Sequence, residues 1–270
     1  MIDLGDGNPI VIVPGIQGRW EWMTPAVEAL AASGRVVTGS LCGEPNSEVR
    51  LVSSMGFDAH VSLLDHWLDR AGLDRVTLCG VSFGGWVALR YAVARPERVR
   101  ALVFASTPGP GFQPDARQQR YIRTPNLALP LFVLTSRERM RREVKAAFPE
   151  VRDRFHFTRL QLSRMARAPI SPSLMARRMK LALQEDFAGD ARQVRVPTLV
   201  ITGERGLDRV VPIESTHEYL SLIPHATATV IERTGHIGCV TRPDTFASLL
   251  RTFDAEVRIG APASVAARIH

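Results

Sequence analysis

Cysteine is scarce in this chain: Cys42, Cys79 and Cys239 are the only three in 270 residues, an odd number at wide spacing. That excludes a disulfide framework and the paired spacing of a structural zinc site. No apolar run approaches the ~20 residues that a membrane-spanning helix requires. A Walker-type phosphate loop and a Gly-x-Gly-x-x-Gly fingerprint are both missing, so no cofactor of the nucleotide type is expected. Internal repeats are missing too, which excludes a repeat array. The opening Met1-Ile2-Asp3-Leu4-Gly5-Asp6 has neither a basic leader nor an apolar stretch, and the expectation is a cytoplasmic protein.

What is present suits a globular α/β domain with an insertion: 45% of the residues are hydrophobic, and the length can bury a large core. Strand-like apolar runs recur at residues 10–13, 35–39, 76–79, 99–104, 198–202 and 227–231. Helical spacing predicts helices at 25–32, 58–71, 83–94, 212–222 and 243–253. Such alternation implies a mostly parallel sheet of about six to eight strands covered by helices on both faces. Between residues 109 and 184 strand signals vanish and amphipathic helical stretches take over, with Leu127, Leu129, Leu131, Phe132, Val133 and Leu134 as candidate core. We read this segment as a helical cap inserted into a core of residues 1–108 and 185–254, followed by a tail at 255–270. From Asp115 to Lys180 there are 16 Lys or Arg against 5 Asp or Glu, although the whole chain carries only +7. A solvated helical face accounts for this, as does attraction of an anionic substrate, an acidic partner or a membrane surface. Nucleic acid is not expected as a partner, because no recognised binding motif accompanies the charge.

The sharpest local signal is Gly80-Val81-Ser82-Phe83-Gly84-Gly85, a serine between glycines where a strand pattern gives way to a helix pattern. A tight strand-to-helix turn brings backbones together and strains the residue at its apex, so neighbours without side chains are needed. Ser82 is therefore the candidate nucleophile. A serine hydroxyl needs a base to take its proton and an acid to orient that base. His236 follows the last strand-like run, while His60, His66 and His217 fall on helices, His225 precedes a strand, His156 lies in the cap and His270 at the terminus. Asp208 lies on the loop after 198–202, with Glu204 as the rival on the same loop. Two backbone N–H donors are needed for the oxygen of an attacked carbonyl. Phe83 is one candidate, and Ile16, or alternatively Gln17, the other. Trp20 and Trp86, with Trp22 and Phe83, could wall an apolar substrate pocket, or simply pack in the core.

Together these residues resemble the α/β-hydrolase superfamily, in its single-domain, cap-bearing serine hydrolase branch. The resemblance spans nearly the whole chain and rests on Val13-Pro14-Gly15, the Ser82 turn, 94–99, 196–203, Asp208 with Val211-Pro212, and Gly235-His236. The order Ser, Asp, His matches the family. Relatives usually carry His-Gly where this chain has Pro14-Gly15, and usually precede the first parallel strand with an antiparallel hairpin. Only about nine residues are available for one here, so a sheet near six strands is expected. A serine at the turn argues against relatives that use aspartate there. The resemblance implies acyl transfer from a small-molecule ester, with thioesters, lactones, carbon–carbon bonds beside a ketone, an alcohol acceptor, or binding without chemistry as alternatives.

Overall fold

Seven strands form one sheet in the computed structural model, which describes residues 1–51 and 53–260. They are β1 (Ile2–Leu4), β2 (Ile10–Val13), β3 (Val36–Thr38), β4 (Val76–Val81), β5 (Val99–Ala105), β6 (Thr198–Thr202) and β7 (Ala226–Val230), in spatial order β1-β3-β2-β4-β5-β6-β7. β1 pairs antiparallel with β3, and the remaining pairs are parallel. Nine residues therefore suffice for an antiparallel strand, because β1 pairs with β3 rather than forming a hairpin with β2. Gly5 and Gly7, at φ 75° and 93°, turn the chain between them.

Parallel strands need long return connections, and helices supply them. These are α1 (Thr24–Ala32), α2 (Ala59–Arg70) and α3 (Phe83–Ala94) before β5. Then come α4 (Ala116–Arg123), α5 (Pro125–Ala147), α6 (Val151–Arg167), α7 (Pro172–Ala182) and α8 (Phe187–Gln193) between β5 and β6. Finally come α9 (Ile213–Leu222), α10 (Gly238–Thr241) and α11 (Pro243–Ile259) among the described residues. The central strands are buried on both faces, so their sequences run apolar without alternation. Val11, Val13, Leu78, Phe104 and Val200 pack toward α2, α3 and α8. Ile10, Ile12, Cys79, Val103 and Ile201 pack toward α1 and α11.

Two expectations need correction. Residues 255–259, expected to belong to a tail, are helical instead, because α11 continues to Ile259 and stops at Gly260, whose left-handed φ of 68° closes the helix. The last turn of α11 is mostly half-exposed, so no apolar rhythm marks it; residues 261–270 lie outside the described residues. The apolar run 127–134 is not a core: Leu127, Leu131, Val133 and Leu134 are exposed on α5. A helix turns only one face inward, so consecutive apolar residues cannot all be buried.

The carboxyl ends of the parallel strands share one edge, where sites collect in open α/β sheets. Ser82 directly follows β4, and the loops after β6 and β7 carry Asp208 and His236. The turn at β4 depends on close approach: a Cβ on Gly80 would lie 2.3 Å from both Gly84 O and Gly85 Cα. Gly80→Ala is accordingly expected to push β4 and α3 apart and lower the thermal midpoint by several degrees, as calorimetry would read; an unchanged midpoint would contradict this packing.

Candidate active site

Ser82 stands at φ 53° and ψ −124°, a conformation that L residues adopt only under strain. Its N–H donates to Ala105 O at 2.8 Å, tying the apex of the turn to the end of β5. The side chain is thereby lifted off the sheet edge toward the loops after β6 and β7.

His236 reaches this side chain across the edge: its Nε2 lies 3.1 Å from Ser82 Oγ, and its Nδ1 lies 3.0 Å from Asp208 Oδ2. A carboxylate can only accept, so Nδ1 carries the ring proton and Nε2 is left to accept from the serine hydroxyl. Asp208 is itself fixed, since its Oδ1 accepts from the N–H groups of Val210 and Val211 at 2.8 and 2.9 Å. Glu204, the rival on this loop, instead accepts from the Arg233 N–H at 2.6 Å and stands apart from the histidine. Burial would lower the basicity of His236, but the charge and hydrogen bond of Asp208, joined by the charge of Glu143, outweigh it and raise the pKa above the ordinary imidazole value.

Ile16 and Phe83 both line a cavity with Ser82, and Gly15 brings the Ile16 loop close, since a Cβ there would lie 3.5 Å from Ser82 Cβ. Gln17 is not among the lining residues. Arg178 of α7 secures the loop from beneath: it donates to Ile16 O and Cys42 O at 3.0 Å each, and to Glu44 at 2.7 Å in a fully buried ion pair. The cavity, of about 160 Å³, is walled mainly by apolar groups, including Trp86, Phe112, Leu129, Phe132, Met175 and Val211. Trp20 does not belong to it. That residue sits in a single-turn helix, Trp20–Met23, and packs against the core beneath α1. Trp22 is likewise occupied elsewhere, donating to Ala168 O at 2.8 Å.

Glu143 of α5 escaped the sequence reading altogether. It is fully buried and accepts from the Ile237 N–H at 3.0 and 3.2 Å, directly beside His236. Burial pushes its carboxyl up to about 7, despite the backbone donors that favour the ionised form. Nothing in a segment so rich in charge distinguishes this glutamate from a solvated one; only its position on a long helix over the histidine loop gives it a role.

Comparison with known proteins places this geometry in context. Residues 8–243 match the family model described as alpha/beta hydrolase fold. The chain is 29% identical over 239 residues to 2-hydroxy-6-oxo-2,4-heptadienoate hydrolase of Pseudomonas putida, covering 87% of this chain and 84% of that one. Among solved structures it resembles a bromoperoxidase from Bacillus anthracis, with a TM-score of 0.73, 25% identity and 94% of each chain covered. A thermophilic esterase from Thermogutta terrifontis shares the fold, with a TM-score of 0.77 at 23% identity, over 95% of this chain and 92% of that one.

Two outcomes are expected from these contacts. Removing the charge in Glu143→Gln lowers the pKa of His236, so the acid limb of any activity requiring the neutral imidazole moves to lower pH; a limb that stays in place contradicts the electrostatic link. Arg178→Met leaves Glu44 buried and unpaired, at a cost of roughly 3–5 kcal/mol in denaturant unfolding. A loss below about 1 kcal/mol would show that the pair does not anchor the loop.

Proposed function

The chain belongs to the α/β-hydrolase fold family, and from that premise we propose that it is a serine hydrolase cleaving a carboxylic ester through an acyl-enzyme on Ser82. The observation that carries this reading is the hydrogen-bonded line Ser82–His236–Asp208, with contacts of 3.1 and 3.0 Å, opening on an apolar cavity. Ser82 Oγ attacks the ester carbonyl while its proton passes to His236 Nε2. The carbonyl oxygen, now negative, is met by the N–H groups of Phe83 and Ile16, the former at the start of α3, where the helix dipole favours negative charge. Collapse of this adduct breaks the bond to the alcohol, which takes the proton from His236. Water then donates its proton to Nε2 and attacks the acyl-enzyme; release of the acid restores Ser82. Asp208 holds the imidazole and stabilises its charged form throughout. Helices α4 to α7, within the cap of residues 109–184, limit the substrate.

The cavity volume argues for a compact acyl group, since a dry cavity near 150 Å³ is filled by one benzene ring. A second reading is cleavage of a carbon–carbon bond beside a ketone with the same three residues, which the likeness to the Pseudomonas putida heptadienoate hydrolase favours.

A series of 4-nitrophenyl esters tests the first reading. Turnover of acetate and butyrate well above that of dodecanoate is expected, with kcat reduced about 10⁴- to 10⁶-fold in Ser82→Ala and His236→Ala that remain folded by circular dichroism. Loss of the absorbance of 2-hydroxy-6-oxo-2,4-heptadienoate without ester turnover would favour the second reading. A folded parent inert toward both would point to ligand binding without chemistry.

A further inference from the structure

Three arginines, Arg117, Arg139 and Arg209, line the cavity beside Ser82, and no carboxylate stands among the lining residues. Arg117 and Arg209 are exposed, and Arg117 has Asp115 at 3.6 Å. Arg139 differs from both. It is half-buried on the inner face of α5, where its guanidinium stands 5.6 Å from the ring centre of Phe132 and donates to Ser136 Oγ at 2.8 Å. Its Nε is buried without a hydrogen-bond partner.

Among the described residues no carboxylate forms an ion pair with it; Tyr121 shares a hydrogen bond with it, and Asp115 favours its charge only from farther off. The acid best placed on the same helix, Glu143 at i+4, is turned instead to the N–H of Ile237. Hydroxyl partners replace only part of the hydration that a partly buried guanidinium loses, so an anion would stabilise it further, and burial accordingly holds its pKa below the ordinary arginine value. It lines the same cavity as Ser82, so it stands within reach of a substrate attacked there.

We propose that Arg139 is an anion subsite and that the substrate carries a carboxylate, separate from the carbonyl attacked, which pairs with this guanidinium. The inference rests on the serine hydrolase reading and narrows its substrate class to acidic esters. A carboxylate suits the site better than a phosphate because a planar guanidinium matches two coplanar oxygens, and one half-buried cation balances one negative charge. The neighbouring Tyr121 and Gln118, which also line the cavity, give this end its polar character. Arg120 and Arg123 are exposed and outside the cavity, so the anion is met by the inward face of the basic segment rather than by its overall charge.

Two matched pairs of esters test this. 4-Nitrophenyl hydrogen glutarate against 4-nitrophenyl pentanoate places the acid on the acyl side; 3-carboxyphenyl butyrate against phenyl butyrate places it on the leaving group. In one pair the acidic member is expected to have at least about tenfold higher kcat/KM. That ratio is expected to fall about 10- to 100-fold in Arg139→Gln, the range of a charge-assisted hydrogen bond, to recover in part in Arg139→Lys, and to persist in Arg120→Gln. A ratio near one in both pairs, with neutral esters turned over, overturns the subsite while the hydrolase reading stands. So does an acid preference that survives in Arg139→Gln. A folded parent that turns over no member of either pair overturns the hydrolase reading, and the subsite with it.

Discussion

The backbone of Ser82, held at φ 53° between a strand and a helix, is the constraint on which the rest of the site depends. An L residue resists this conformation, so the surrounding structure must hold it there. The Ser82 N–H bonded to Ala105 O, and the helix packed so close to β4 that Gly80 has no room for a side chain, do so from either side. Relaxing the turn would swing the hydroxyl away from His236 and the Phe83 N–H away from the cavity together. Strain at the apex and tight packing beneath it are two aspects of one arrangement.

The helices between β5 and β6 contribute more than a roof. From α7, Arg178 grips the loop of Ile16; from α5, Glu143 grips the loop of His236, and Arg139 enters the cavity. Each of the two loops that must face Ser82 is thus fastened by a charged side chain from the inserted segment. Burying the Arg178–Glu44 pair sacrifices hydration, and its return is positional: a shift of α7 would break three contacts at once. Movement of α5 would likewise be felt at His236, through both a hydrogen bond and a charge.

Much of this was legible in the sequence, for reasons that can be named. β2 and β6 begin and end where their apolar runs do, and the glycines around Ser82 mark the turn. Ser82, Asp208 and His236, which the structure brings together, could be singled out because loop positions after strands are local facts that a sequence records. Of the two roles open to Trp20, cavity wall or core packing, it takes the second, because position along the chain says nothing about the face on which a single-turn helix packs. Arg178, Glu143 and Arg139 lay hidden in a strongly basic segment, since the direction of one charged residue on a helix depends on what that helix packs against. The same limit explains the leucines of α5, whose run of apolar character suggested a core that its helical geometry leaves in solvent.

The most direct test of the account is reaction with a fluorophosphonate, with the modified peptide identified by mass spectrometry. Only a serine whose proton is taken by a neighbouring base reacts readily, so the reagent reads the Ser82–His236 contact itself rather than any substrate preference. The account predicts stoichiometric modification at Ser82, at a rate that falls as His236 is protonated and collapses in His236→Ala. Modification elsewhere, or a folded protein that leaves Ser82 unmodified, would contradict it.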